Sequence, residues 1–371
     1  MMKKFDYSTR ARRLALRHPL ISDIGTQITY WIFVFALYFT LVNHVSKAVA
    51  SLFDINAKTH MTENMIIAVI GGIVFGSILG LIDFYVERKF VRRSFGLELL
   101  AKYFLYTITW FMVMGIARKV GIAMEAKFID NAAVNYSNQF FSNMGISTTI
   151  YTMVMIAGIS FVKQMNNKFG PGIILPMLLG KYRKPHEEKR VFMFMDLKSS
   201  TSYAEKLGHL KYSEMIQNCF MDLNKVIPTH YAEVYQYVGD EVVLTWLKEE
   251  GLRNLNCINF FFAFQKLLLQ KKDEYENNFG LLPEFKGSVH LGKITVAEVG
   301  DIKREIAYHG DTINIAARIQ TMCNTYNKNF LVSEEVKNNL ETDKQYTFDF
   351  IEDTILKGKS EKIKLYSVNK N

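Results

Sequence analysis

Hydrophobic residues are distributed unevenly along this chain. Up to about Ser160 they gather in long runs, and beyond it they interleave with polar positions as in a water-facing domain. Four stretches, residues 27–47, 65–85, 100–117 and 146–162, are long and apolar enough to cross about 30 Å of hydrocarbon as helices. The first carries Tyr-Trp-Ile-Phe-Val-Phe-Ala-Leu-Tyr-Phe-Thr-Leu-Val (residues 30–42). Its n-region is too long for a cleavable signal, and no small-residue cleavage site follows. The second span has Gly72, Gly76 and Gly80 at four-residue intervals. That bare face suits the close approach of another helix, from the same bundle or from a second copy. His44 and His60 sit at or outside the membrane boundaries with no facing partner, and read as interfacial residues rather than haem ligands.

From Arg190 onward short strands alternate with helices. Residues 191–195 form an apolar run ending at Asp196, and a helix-period segment covers 202–226. Strand-like runs at 232–238 and 242–246 flank Gly239-Asp240-Glu241, a hairpin signal. Residues 258–269 are too short for a fifth span and include Gln265 and Lys266, so they read as a buried helix. Strands over 284–291 and 293–299 and a helix over 311–322 complete a β-α-β-β-α-β order, the signature of an α+β ferredoxin-like core. The expected organisation is a tail over 1–26, a four-helix membrane region over 27–163, an interfacial linker over 164–189 and a globular domain over 190–371. The linker contains Ile-Ile-Leu-Pro-Met-Leu-Leu (residues 173–179), too short to span and interrupted by Pro176, on the route of any signal from bundle to domain.

Charge settles the orientation. The chain carries a net charge of +9, with 49% hydrophobic and 22% charged residues. Its basic residues crowd beside the spans: Lys3, Lys4, Arg10, Arg12, Arg13 and Arg17, then Arg88, Lys89, Arg92 and Arg93. No basic-aromatic groove motif accompanies them, which excludes nucleic acid as the expected partner. The positive-inside bias and an even number of spans put both termini in the cytoplasm, as in a multi-pass protein of the inner membrane with lipid as its surroundings. Few ionisable groups lie near the span centres, which argues against a transporter or channel, and Asp83 reads as facing the cytoplasmic headgroups. Cys219, Cys257 and Cys323 are odd in number and scattered, which fits reduced, inert thiols in the cytosol.

Two carboxylates carry the first candidate chemistry. Asp196 ends the first strand and Asp240 sits in the hairpin turn, so one sheet edge can bring them together. Such a pair repels unless it shares divalent ions, and a two-metal site activates an attacking oxygen and steadies a phosphate. Ser199, Ser200 and Thr201 open the following helix, where free N–H groups capped by hydroxyls would cradle a phosphate. A second cluster is Gly-Asp-Thr-Ile-Asn-Ile-Ala-Ala-Arg (residues 310–318). Its Asn314 and Arg318 share a helix face, while Ile313, Ile315 and Ala316 pack the other side.

These pieces, in this order, resemble the class III adenylate/guanylate cyclases over residues 190–371. Phe-Met-Asp-Leu-Lys-Ser-Ser-Thr looks like the family's first metal motif and Val-Gly-Asp-Glu like its second. The resemblance implies Asp196, Leu197 and Asp240 as contacts for two divalent ions, Mg²⁺ or Mn²⁺. Asn314 would orient the ribose, Arg318 would stabilise the phosphate in the transition state, and Lys357 in Leu-Lys-Gly-Lys would hold the triphosphate. It also implies a homodimer in which Asp196 and Asp240 of one subunit face Asn314, Arg318 and Lys357 of the other.

Three positions depart from the family. Ser199 stands where a glycine is frequent, and the base-selecting positions hold Gln236 and Ala307. The Gln236 amide can donate and accept, so it can read either purine, whereas Ala307 offers no polar group. ATP is the expected nucleoside triphosphate, with GTP or a pyrimidine nucleotide as alternatives. A reading from a different class is an idle nucleotide-binding receptor module. A diguanylate cyclase is excluded by the Asn-Ile-Ala-Ala-Arg helix and by Val238 and Val242 around the turn.

Overall fold

The computed structural model describes residues 14–15, 17–53, 61–90, 94–128, 143–169, 174–302, 304–341, 344–355 and 362–371. The chain parts into two compact units, Met1–Leu175 and Pro176–Asn371.

The first unit holds four long helices, α1 (Pro19–Leu52), α2 (Met61–Phe90), α3 (Phe95–Phe128) and α4 (Asn143–Phe169). Each contains a segment long and apolar enough to cross a membrane. Trp31, Val34, Phe75, Leu79, Tyr106, Trp110 and Ile156 form their shared core, while Phe33, Val45, Ile67, Phe104 and Val154 point outward, as lipid-facing side chains do.

The glycine face of α2 is occupied from within. A Cβ at Gly76 would lie 2.6 Å from Ile28 Cα, and one at Gly80 would lie 2.5 Å from Ile24 Cα, so these glycines bring the backbones of α1 and α2 together. Of the two readings of this stripe, packing inside the bundle holds. Gly76→Leu is therefore expected to prise α1 from α2 and lower the bundle's thermal midpoint in micelles. Gly115→Leu, with nothing within 4 Å of its Cβ position, should leave it unchanged.

Asp83 overturns its sequence reading: it does not face the headgroups but is fully buried. It accepts from Gln27 Nε2 at 2.6 Å, from the Tyr106 hydroxyl and from Lys163 Nζ, and Lys102 Nζ lies 3.8 Å away. Lys102 also pairs with Glu87 at 2.9 Å and Glu98 at 2.8 Å, and Lys163 with Asp23 at 3.0 Å. The reason is packing: once Gly76 and Gly80 draw α1 and α2 together, the turn bearing Asp83 faces inward, where only paired charges are tolerated.

A short helix α5 (Ile174–Leu178) crosses the boundary between the units, and the first strand of the second unit is the central β1 (His186–Leu197). Then come α6 (Ser200–His230), β2 (Glu233–Val238), β3 (Glu241–Leu247), α7 (Lys248–Leu252), α8 (Asn256–Gln270), α9 (Lys272–Phe279) and β4 (Phe285–Val299). The chain ends with β5 (Glu305–His309), α10 (Asp311–Thr325), β6 (Phe330–Ser333), α11 (Glu334–Lys337), β7 (Tyr346–Ile355) and β8 (Lys362–Lys370). The eight strands form one mixed sheet in the order β2-β3-β1-β4-β6-β8-β7, with β5 paired to β4. The expected ferredoxin-like core is present with additions. The two strands expected over 284–299 are instead one continuous strand, because Gly292 extends without breaking the ladder to β1.

Strand β1 is buried on both faces. Val191, Met193 and Met195 meet α6 and α8, while Phe192 and Phe194 join the core beneath α10. The three cysteines are buried and free, and burial pushes each thiol up to about 12, so they are inert at neutral pH. Hydrogen bonds help seat α10 on β4: Ser288 Oγ donates to Ala316 O at 2.7 Å, and Thr312 Oγ1 to Lys293 O at 2.6 Å.

Candidate active site

The sheet's hydrogen-bond register assembles the acidic cluster. Asp196, one residue before the end of β1, pairs with Glu241 on β3 and with Lys286 on β4. Gly239, at φ +62°, turns the chain between β2 and β3, so Asp240 comes up beside them. Burial raises the Asp196 carboxyl; Lys286 opposes the rise and Asp240 adds to it. Glu241 is pushed up to about 7, chiefly by burial and then by Asp196 and Asp240. One ammonium, Lys286 Nζ, answers this crowding at 3.1 Å from Asp196 Oδ2.

The buried Oδ2 of Asp240 has no hydrogen-bond partner among the described residues. An uncompensated oxygen beside a second carboxylate is suited to a cation. Among the described residues no group of three or more His, Cys, Asp or Glu side chains is set to hold a metal ion, so any ion here would rest on two aspartates with help from substrate. The side chain of Leu197 faces the core, which leaves only its backbone carbonyl for an ion.

The loop after β1 differs in one respect from its sequence reading. Ser199 takes the left-handed conformation at φ +55°, and no side chain caps the first turn of α6. The expected hydroxyl caps are therefore not formed on this turn, since the left-handed conformation carries Ser199 past the capping geometry. A left-handed residue here also accounts for a glycine being frequent at this position.

Helix α10 presents two different faces. Gln320, nearly buried, donates to Asp196 Oδ2 at 3.0 Å, and Lys286 Nζ donates to Asn324 Oδ1 at 3.1 Å. Asn314 is exposed and Arg318 half-buried. At about 100° per residue they point away from the Gln320 side of the helix. Within one chain, therefore, Asp196 and Asp240 come together with each other but not with Asn314 and Arg318. Lys357 lies outside the described residues.

Gln236 is exposed on β2, and Ala307 is buried on β5. Their neighbours touch: the rings of Tyr235 and Tyr308 lie 4.8 Å apart, and the Tyr308 N–H points to the Tyr235 hydroxyl at 3.5 Å. Beneath them Arg190 stacks 5.0 Å from Tyr308 and binds Glu188 at 2.8 Å, Thr245 at 3.1 Å and Glu233.

This arrangement matches a known pattern. Residues 182–370 fit the adenylate and guanylate cyclase catalytic domain. The chain belongs to that family. It is 27% identical over 290 residues to adenylate cyclase 2 of Rhizobium meliloti (strain 1021), covering 76% of this chain and 77% of that protein. It is 25% identical over 187 residues to an adenylate cyclase of Anabaena cylindrica, of which it covers 36%. Among solved structures it is similar to the adenylyl cyclase CyaB of P. aeruginosa, with 17% identity, a TM-score of 0.43 and coverage of 51% of this chain and 97% of that one. A bacterial light-regulated adenylyl cyclase is similar at 21% identity and a TM-score of 0.49, covering 62% of this chain and 66% of that one.

In this cyclase domain, motif reading missed Glu241, Lys286 and Gln320 around the acidic pair, and Arg190, Tyr235 and Tyr308 beneath the base-selecting positions. Only Glu241, beside Asp240, carried a local signal. The others reach the site through strand register and helix packing.

Proposed function

We propose that the protein is a membrane-anchored nucleotide cyclase that turns a nucleoside triphosphate, ATP first, into its 3′,5′-cyclic monophosphate and pyrophosphate for intracellular signalling. The site lies between two copies, on the cytoplasmic side of the inner membrane, where the positive-inside bias puts both termini. The observation that carries this reading is the unpartnered Asp240 Oδ2 beside Asp196 in a domain of the cyclase family. ATP is favoured because the Rhizobium relative is an adenylate cyclase aligned over a stretch longer than residues 182–370, so the likeness extends into the helical half.

Asp196 and Asp240, with the Leu197 carbonyl, would hold two divalent ions. When bound, such ions supply charge neutralisation for the phosphates and a lower pKa for the ribose 3′-hydroxyl. The free N–H groups at the start of α6 receive phosphate oxygens. Asn314 orients the ribose and Arg318 meets the charge that builds on the α-phosphate as its bond to the leaving pyrophosphate breaks. Lys357 binds the triphosphate and Gln236 reads the base, with no polar help from Ala307. The opposed faces of α10 support a shared site, because Gln320 commits one side to its own chain's Asp196 while Asn314 and Arg318 are left for a partner's substrate.

Incubation of the purified full chain with Mn²⁺ or Mg²⁺ and each of the four nucleoside triphosphates tests the activity. Cyclic product and pyrophosphate from ATP are expected, and no product from any nucleotide would overturn the enzyme reading in favour of a receptor module. GTP or a pyrimidine nucleotide as the best substrate would replace ATP and leave the cyclase. Mixing tests the sharing: Asp240→Ala and Arg318→Ala chains, each inactive alone, should regain about a quarter of wild-type activity when co-expressed, since mixed dimers keep one intact site. Two inactive parents giving an inactive mixture would place all catalytic groups in one chain.

A further inference from the structure

We infer that the cytoplasmic mouth of the helical bundle contains a binding site for a small monovalent cation of the Na⁺ class, formed by Gln164 and Ser160 of α4 with Glu98 of α3. This inference is independent of the cyclase reading.

Three observations converge. The first is charge. Among the described residues, Asp23, Asp83, Glu87 and Glu98 are answered by Lys102 and Lys163, four carboxylates against two ammoniums, in a cluster whose Asp83 is completely buried. An excess of negative charge around a buried carboxylate is costly unless something neutralises it. The second is an uncommitted oxygen inside the cluster. Gln164 donates its Nε2 to Glu98 Oε2 at 3.2 Å, which fixes the amide's orientation and leaves Oε1 buried without a partner among the described residues. The third is Ser160, four residues earlier on the same helix face, only 4% exposed, whose Oγ is also without a partner among the described residues.

The choice of ligand follows from what each candidate leaves unsatisfied. A proton taken up by a carboxylate would correct the charge and leave both oxygens bare. A water would serve the oxygens and leave the charge. A cation held by an amide carbonyl, a hydroxyl and one carboxylate answers both, and these hard oxygen donors suit Na⁺. A divalent ion fits less well, because the proposed ligands include a single carboxylate, Glu98, which already pairs with Lys102 at 2.8 Å. Occupancy would fasten α4 to α3 within the bundle, on the span whose chain continues into the linker.

The bundle contains its own reporters. Of the chain's three tryptophans, Trp31 donates to Gln27 at 3.1 Å and so touches the network directly, and Trp110 lies in the same core. The full chain with Trp246→Phe, in nanodiscs, is titrated with NaCl against choline chloride at constant ionic strength while tryptophan fluorescence and the thermal midpoint are read. A saturable change with Na⁺ and none with choline is expected. Ser160→Ala and Gln164→Leu should each weaken the Na⁺ midpoint about tenfold, corresponding to about 1.4 kcal/mol for a lost ligand. Ser160→Ala removes one oxygen from a packed helix and is expected to fold, which its thermal midpoint without Na⁺ checks. Equal responses to Na⁺ and choline, a response to pH alone, or variants that titrate like wild type would each overturn the site, and the first of these does so without any variant.

Discussion

Asp240→Asn is expected to lower cyclic nucleotide formation by about a thousandfold or more while leaving the fold intact. The size comes from what the side chain would do: a metal-ion site supplies several kcal/mol of charge stabilisation, and each 1.36 kcal/mol is tenfold in rate. The intact fold comes from what Oδ2 does not do, since it makes no hydrogen bond among the described residues that an amide would break. Removing one carboxylate also relieves Glu241 and Asp196 of a like charge. Burial still opposes ionisation of Glu241, so its pKa should fall from about 7 toward the ordinary value without reaching it. Initial rates with Mn²⁺ and ATP, beside the thermal midpoint of each protein, check the pair of expectations. A variant that retains a tenth of the activity would remove Asp240 from the chemistry. One that loses activity together with its fold would make the residue structural.

Asp83→Ala is expected to have the largest effect on stability, about 3–5 kcal/mol, because it leaves Lys163 and Lys102 buried with less counter-charge and the Tyr106 hydroxyl and Gln27 amide without their acceptor. The measurement is SDS-induced unfolding of the full chain in mixed micelles, followed through tryptophan fluorescence. Asp83→Asn, which keeps an acceptor for Tyr106, should cost less than Asp83→Ala. Asp83→Leu combined with Lys163→Met should recover much of the loss, since replacing a buried pair by apolar groups of similar volume is far cheaper than breaking it. An Asp83→Ala protein as stable as wild type would mean that the network contributes nothing to the bundle.

Legibility in the sequence followed the range of the interaction. The four long apolar helices were readable because a continuous apolar run leaves its mark on every residue of the helix. The hairpin around Asp240 was readable because Gly239-Asp240 is a local turn between two strand-like runs. The β-α-β-β-α-β order and the 310–318 cluster carried family-wide patterns, and the match over residues 182–370 agrees with the cyclase reading. The acidic pair at a sheet edge was an inference about register, and β1, β3 and β4 do line up Asp196, Glu241 and Lys286.

What local pattern could not carry was identity across distance. Lys286 and Gln320 are ordinary residues of a strand and a helix until β4 and α10 bring them to Asp196, residues far away in the chain. Asp83 was misread for the same reason. Its position along α2 sets its depth, but whether it meets lipid headgroups or two lysines depends on which face α1, α3 and α4 cover. By itself, then, the amino-acid sequence determined the class of each half: helices long and apolar enough to cross a membrane, and a cyclase domain with its acidic pair and its Asn-Arg helix. Only the tertiary structure decided which groups surround those residues. Helical and strand periods are written in neighbouring residues, whereas the partners of a buried charge come from whichever elements pack against it.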